Sequence, residues 1–371
     1  MINNKRVIKS FKKLVRIDSL SLKEGKVIAY LKKELNSLGI KTMQAGKPDG
    51  GEAGNLLATI PGRNCQGPRL LLNAHVDTVS PGIGVKPVER KGYIYSDGKT
   101  VLGADNKAGV AAILEVLKVL HEKRLNHPPL QIIFTVCEEM GLFGSRSLPK
   151  QSIKADFGIV MDGGTINKII LQAPSQINLI AKVHGKAAHA GIRPEEGVSA
   201  IKAASEAVTK MKLGRIDFET TANIGIIQGG TATNIVPDEV ELQGEARSHQ
   251  VYKLNKQIKH MEQVLKKTCA KHNATTSIKT THMYKAFQID PCKKIVVMAQ
   301  KAVAKAGFEP LLDRTGGGSD ANIFNALGIP SIIMGVGAHN IHSTAEQIAI
   351  LDLINGTKIL FELIKEANKH A

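Results

Sequence analysis

Leu70-Leu71-Leu72-Asn73-Ala74-His75-Val76-Asp77 is an apolar run that stops on a histidine and an aspartate two positions apart. The pattern recurs. Leu130–Val136 leads into Glu138-Glu139, Phe157–Met161 leads into Asp162, and Pro330–Met334 leads into the loop that carries His342. Apolar runs without polar alternation, bounded by turn residues, read as strands buried on both faces of a sheet. Helical patterns separate them at about 4–17, 24–38 and 106–123, with a short helix near 141–148 and further helices at 293–306 and 345–368. Asn55–Thr59 adds another strand. The prediction is an α/β fold, a mixed sheet with helices on both faces.

Between Pro174 and Lys285 the rhythm changes. Strand Gln176–Val183, helix Val198–Met211, strands Ala222–Gln228 and Glu239–Ser248, helix Tyr252–His272 and strand Thr275–Thr281 follow one another. That β-α-β-β-α-β order is the ferredoxin-like, split-βαβ arrangement of an α+β domain. The sequence therefore divides into residues 1–173, an inserted domain at 174–285, and a return to the first domain at 286–371.

Composition narrows the function classes. The 371 residues are 43% hydrophobic and 22% charged, as expected of a folded chain. No stretch approaches the ~20 apolar residues that a membrane span needs, and the basic N-terminus lacks the apolar core of a secretory signal. Four scattered cysteines without a CxxC pair fit free thiols in a reducing cytoplasm. The net charge of +17 admits a non-enzymatic, polyanion-binding protein. Against it, aromatics are 4% of the chain and Trp is absent, so stacking platforms for nucleic acid are lacking. The basic residues of helix 252–272, among them Lys253, Lys256 and Lys259, lie opposite its apolar stripe, as on a solvated face.

The residues at the strand ends carry the chemistry. In open α/β sheets, ligands bind beyond the carboxyl ends of strands, so residues distant in sequence become neighbours there. Each acid alone has a bland reading: Asp105 as a helix N-cap, Glu138-Glu139 as a solvated helix start, Asp162 as a turn residue, His342 as a loop histidine. Together they are imidazoles and carboxylates of the type that binds zinc and similar divalent ions. His75 and Asp77 share a strand face, so Asp77 can accept the far N–H of His75. The adjacent side chains of Glu138 and Glu139 diverge, which lets one hold metal while the other meets substrate. Asp105 has two oxygens with which to bridge two ions.

AHVDTV, GADNKAGVA, CEEMGLFGS, the MDGG step, HGKAAHAG, GGTATNIVPDE and the final HST, in this order over nearly the whole chain, resemble the dinuclear zinc exopeptidases. That family includes peptidase T, glutamate carboxypeptidases and aminoacylases. HAGIRPEEG and GGTATNIVPDE are most similar to the peptidase T-like branch. The resemblance implies two zinc ions, one held by His75 and Asp162, the other by Glu139 and His342, with Asp105 bridging. It implies Glu138 as the general base for a metal-bridging water, Asp77 as its catalytic companion, and a cis peptide bond between Asp105 and Asn106. It makes the inserted domain a lid that also forms a homodimer, with His189 supplied across the dimer to the oxyanion. Asn234 is then a polar contact and Arg247 a partner for a substrate carboxylate.

The implied activity is a cytoplasmic aminopeptidase that acts on short peptides, chiefly tripeptides, without nucleic-acid or membrane partners. A carboxypeptidase or N-acyl-amino-acid amidohydrolase of the same family would share these residues. The loop Thr315–Asn322 lacks the lysine of a phosphate-binding loop and the final glycine of a serine elbow. Its remaining readings are a pocket lining and a helix N-cap at Ser319.

Overall fold

The computed structural model describes residues 1–65 and 67–369. The apolar runs form the centre of a nine-stranded mixed sheet among these described residues. Leu130–Thr135, Leu70–His75, Phe157–Gly163 and Ser331–Gly335 lie side by side in that order, all parallel. The first two and the last are buried at every position, as strands covered on both faces must be. Asn55–Ile60 runs antiparallel outside Leu130–Thr135, and Lys168–Ala173 runs antiparallel beside Ser331–Gly335. Because the four central strands point one way, their C-terminal ends share one edge. Register sharpens this: His75 stands opposite Thr135, and the pairing of Asn73 with Val160 brings His75 level with Asp162.

The helix Ala104–Glu122 packs on this sheet and is buried along most of its length. Its tight seat has a local cause. A β-carbon on Gly109 would stand 2.4 Å from the carbonyl oxygen of Met161, so only glycine permits the approach. The first helix, Asn4–Val15, buries Val7, Phe11, Leu14 and Val15, as its periodicity predicts. Asn3 caps it, and Arg6 forms an ion pair with the buried carboxylate of Glu115 on the helix beneath.

One expectation is corrected. The last helix starts at Ile350 rather than near Ala345, because Gln347–Ala349 is a strand paired with Tyr93–Tyr95. This pair belongs to a small antiparallel sheet with Val88–Arg90 and Ala338–His339, which no sequence pattern announced. Its strands have two or three residues, too short for any alternation to show.

The chain separates into two compact units. One comprises Met1–Gln172, Gln288–Thr315 and Ser319–Ala371; the other comprises Ala173–Phe287 with Gly316–Gly318. At the base of the long excursion, the Ile289 amide donates to the Leu171 carbonyl at 2.8 Å. The second unit is a five-stranded antiparallel sheet in the order Gly214–Asp217, Thr220–Gly229, Glu239–Ser248, Ser175–His184, Thr275–Tyr284. Helices Ala200–Lys210 and Val251–Lys271 bury their apolar stripes in one core with Ile177, Leu179, Ala181 and Val183. The short strand Gly214–Asp217 is the addition to the expected β-α-β-β-α-β order.

Candidate functional site

Beyond the shared strand edge, His75, Asp105 and Glu139 offer ligand atoms that all lie within 4.8 Å of one another. The detail is an alternating row of acids and imidazoles. Nε2 of His75 lies 3.0 Å from Oδ1 of Asp105 and 3.5 Å from Oδ1 of Asp162. Nε2 of His342 lies 3.5 Å from Oδ2 of Asp105 and 3.0 Å from Oε1 of Glu139. Each oxygen of Asp105 therefore faces a different histidine. The peptide bond from Asp105 to Asn106 is cis, as the family resemblance implies.

His75 is buried, and its Nδ1 has two partners on Asp77: the backbone oxygen at 3.1 Å and Oδ1 at 3.4 Å. The Asp77 carboxylate is also fully buried and does more than orient that ring. Its Oδ1 accepts the Glu138 amide at 3.0 Å, while Oδ2 accepts the Glu139 amide at 3.1 Å and the Ser21 hydroxyl at 2.7 Å.

Electrostatics follow from acids crowded in a dry site. Burial tends to strip the proton from His75, but its hydrogen bonds to the carboxylates of Asp105, Asp162 and Asp77 outweigh this and hold the imidazolium well above the ordinary histidine range. Hydrogen bonds to Asp105 and Glu139 push His342 up to about 10. Burial raises Asp105, yet the two imidazoles win and hold its carboxyl low. Burial pushes Asp162 up to about 7, helped by the charges of Asp105 and Asp320 against the pull of His75. Burial likewise lifts Glu138 well above the usual carboxylate range. A carboxyl raised in this way is suited to proton transfer near neutrality.

Sequence reasoning missed Glu346. This carboxylate is 1% exposed and accepts the amides of Gly103 at 2.8 Å and Asp105 at 2.9 Å, which fixes the backbone that carries Asp105. Its one sequence signal was an acid four residues beyond His342. Asp320 was also missed: it is buried, accepts a short hydrogen bond from Thr135, and lies near enough to Glu138 to raise it. Ser319 caps the helix Asp320–Ala326 in a capping box with Asn322, so the cap reading of that loop holds.

His189, Asn234 and Arg247 lie on the second unit. His189 and Asn234 come together, since the Ala190 amide donates to the Asn234 carbonyl at 2.9 Å and both side chains are exposed. Arg247 is apart from them on the strand Glu239–Ser248, where its guanidinium forks onto Glu245 at 2.8 and 3.0 Å.

The family model described as peptidase family M20/M25/M40 matches residues 71–366. The Bacillus subtilis (strain 168) protein YqjE is 41% identical over 372 residues, covering 100% of both chains. A peptidase T from an Exiguobacterium species is 24% identical over 387 residues, covering 94% of this chain and 92% of its own. Among solved structures, a tripeptidase from Staphylococcus aureus superposes with a TM-score of 0.93 at 41% identity, over 100% of each chain. The aminopeptidase PepT of Bacillus cereus superposes with a TM-score of 0.87 at 39% identity, over 99% of each.

Proposed function

The chain belongs to peptidase family M20/M25/M40, in its peptidase T-like branch, and from that premise we propose a two-zinc aminopeptidase that releases N-terminal residues from tripeptides. The observation that carries the two-metal reading is Asp105, whose oxygens face His75 and His342 separately. The donor set fits: imidazole nitrogens and carboxylate oxygens converge, and the acids outnumber the histidines, leaving an excess of negative charge for cations. His75 and Asp162 would hold one ion, Glu139 and His342 the other, and Asp105 both. Bound there, divalent cations supply Lewis-acid polarisation of the scissile carbonyl and make water acidic enough to attack at neutral pH.

The chain's own residues do the rest. Glu138 takes a proton from the attacking water and returns it to the leaving amine, so it is restored each turnover. Asp77 keeps His75 oriented and holds the amides of both glutamates. On the second unit, the exposed His189 and Asn234 meet the developing oxyanion, and Arg247 receives the substrate carboxylate when Glu245 yields its fork. That unit acts as the lid and, in this reading, as the seat of a homodimer. Support comes from the strand Thr220–Gly229, which pairs with Gly214–Asp217 only at its start. Its later residues leave an open edge flanked by Ile226 and Ile227, 50% and 54% exposed. Placement in the cytoplasm rests on the free thiols of Cys65, Cys137, Cys269 and Cys292.

The test is hydrolysis of matched di-, tri- and tetrapeptides, free and N-blocked, by the zinc-loaded protein. Preference for the free tripeptide is expected. Equal or better turnover of N-blocked substrates would replace this reading with the acylase-type or carboxypeptidase alternative.

A further inference from the structure

Glu24 occupies the N-cap position of the helix Gly25–Ser37, yet its side chain makes no cap hydrogen bond to that helix. It is turned inward and fully buried. One oxygen, Oε1, accepts two amides at 2.9 Å each, those of Leu22 and Cys137. Both donors are non-glycine residues in the left-handed region, Leu22 at φ 72° and Cys137 at φ 50°. Such backbone costs a non-glycine residue about 1 kcal/mol and persists where its surroundings demand it. The other oxygen, Oε2, is buried and has no hydrogen-bond partner.

Cys137 is the first of three successive residues whose amides end on buried carboxylates: Cys137 on Glu24, then Glu138 and Glu139 on Asp77. Successive amides turned into one concavity form a nest, a shape that ordinarily receives an external anion. Here two internal carboxylates fill it. The turn so held is the one from which Glu138 and Glu139 diverge.

We propose that Glu24 is a positioning residue for proton transfer: it fixes the left-handed turn at Cys137 and thereby aims Glu138. The inference rests on the reading of Glu138 as general base. Since a single oxygen makes both hydrogen bonds and the second makes none, reach matters here and charge does not. Glutamine keeps the reach and an acceptor oxygen without the charge. Aspartate keeps the charge but is one methylene too short to span Leu22 and Cys137.

The experiment compares Glu24→Gln with Glu24→Asp as zinc-loaded enzymes. It measures kcat, KM, bound zinc and hydrogen exchange at the Cys137 amide. Glu24→Gln is expected to keep kcat within ~3-fold of the native enzyme. Glu24→Asp is expected to lose ~10–100-fold in kcat, the range seen when outer groups supporting an active site are removed. In Glu24→Asp the KM and zinc content should stay unchanged, and the Cys137 amide should exchange faster. The reverse order of the two variants would assign the role to charge and overturn the proposal. Equal activity, or equal loss with zinc retained, would overturn it as well. Glu138→Ala serves as the control for the underlying reading: if it keeps full turnover, the general-base assignment fails whatever the Glu24 variants do.

Discussion

Asp105 faces His342 through Oδ2 at 3.5 Å while its other oxygen is engaged 3.0 Å from His75, so one side chain joins both halves of the site. Removing one oxygen should therefore be felt on both sides. In Asp105→Asn, both zinc affinities are expected to fall by more than the ~10–100-fold typical of losing an outer-shell partner. In Asp162→Asn only one should fall. Zinc counted after equilibrium dialysis checks this, and loss of a single ion from Asp105→Asn would contradict a bridging role.

Glu138 is 8% exposed and lies outside the row of alternating acids and imidazoles. The Glu138→Ala enzyme should bind its full complement of zinc and lose ~10²–10⁴-fold in kcat, the contribution expected of a positioned proton carrier. Metal content and steady-state rates measured on the same preparation separate this from a ligand role, in which both would fall together.

Proton release should accompany metal uptake. In the metal-free chain, Asp105 and Glu139 push His342 up to about 10, so at pH 7 its imidazole is charged, whereas a ligand imidazole must be neutral. Zinc then competes with a proton, and its apparent affinity should rise as pH goes from 7 towards 10. The sign for folding is the opposite. A folded pKa above the unfolded value of ~6.5 gives His342 a stabilising contribution that is full below ~6.5 and lost as pH rises through about 10. Calorimetry in buffers of different ionisation enthalpy measures the released protons. Uptake at pH 7 with no release would refute the charged imidazole.

If His189 acts from a partner chain, two defective chains should complement one another. Glu138→Ala and His189→Ala proteins, each inactive alone, are expected to regain up to about a quarter of native activity when mixed and allowed to exchange. Sedimentation confirms the dimer. Dimers without regained activity would confine His189 to its own chain.

The legible parts of this chain were those in which many residues repeat one physical demand. The strands Leu70–His75 and Leu130–Thr135 read clearly because burial on both faces excludes polar residues from almost every position. The helix Asn4–Val15 read clearly because four buried residues recur on one side. The acids at the strand ends were legible through their placement. Glu24 and Glu346 were not, because their partners are backbone amides, which every residue carries and no motif marks. Gln347–Ala349 runs straight into the apolar pattern of the last helix, with Ile348 and Leu351 a helical three residues apart. Its pairing with Tyr93–Tyr95 is a long-range fact that local pattern does not contain.

The hydrogen bond between Ile289 and Leu171 bears on how such a chain assembles. It places the two ends of the excursion Ala173–Phe287 side by side at the base. To the sheet that holds the metal-type residues, more than a hundred residues are then no longer than a hairpin turn. If the excursion folds first, bringing Ser331–Gly335 against Phe157–Gly163 no longer requires closing a long disordered loop. That saves about 3 kcal/mol, roughly five doublings of loop length. The order of events matters in a second way. His342 belongs to a late segment, so a chain emerging from the ribosome displays His75, Asp105, Glu139 and Asp162 before their last companion exists. The complete cation site is a property of the finished polypeptide alone.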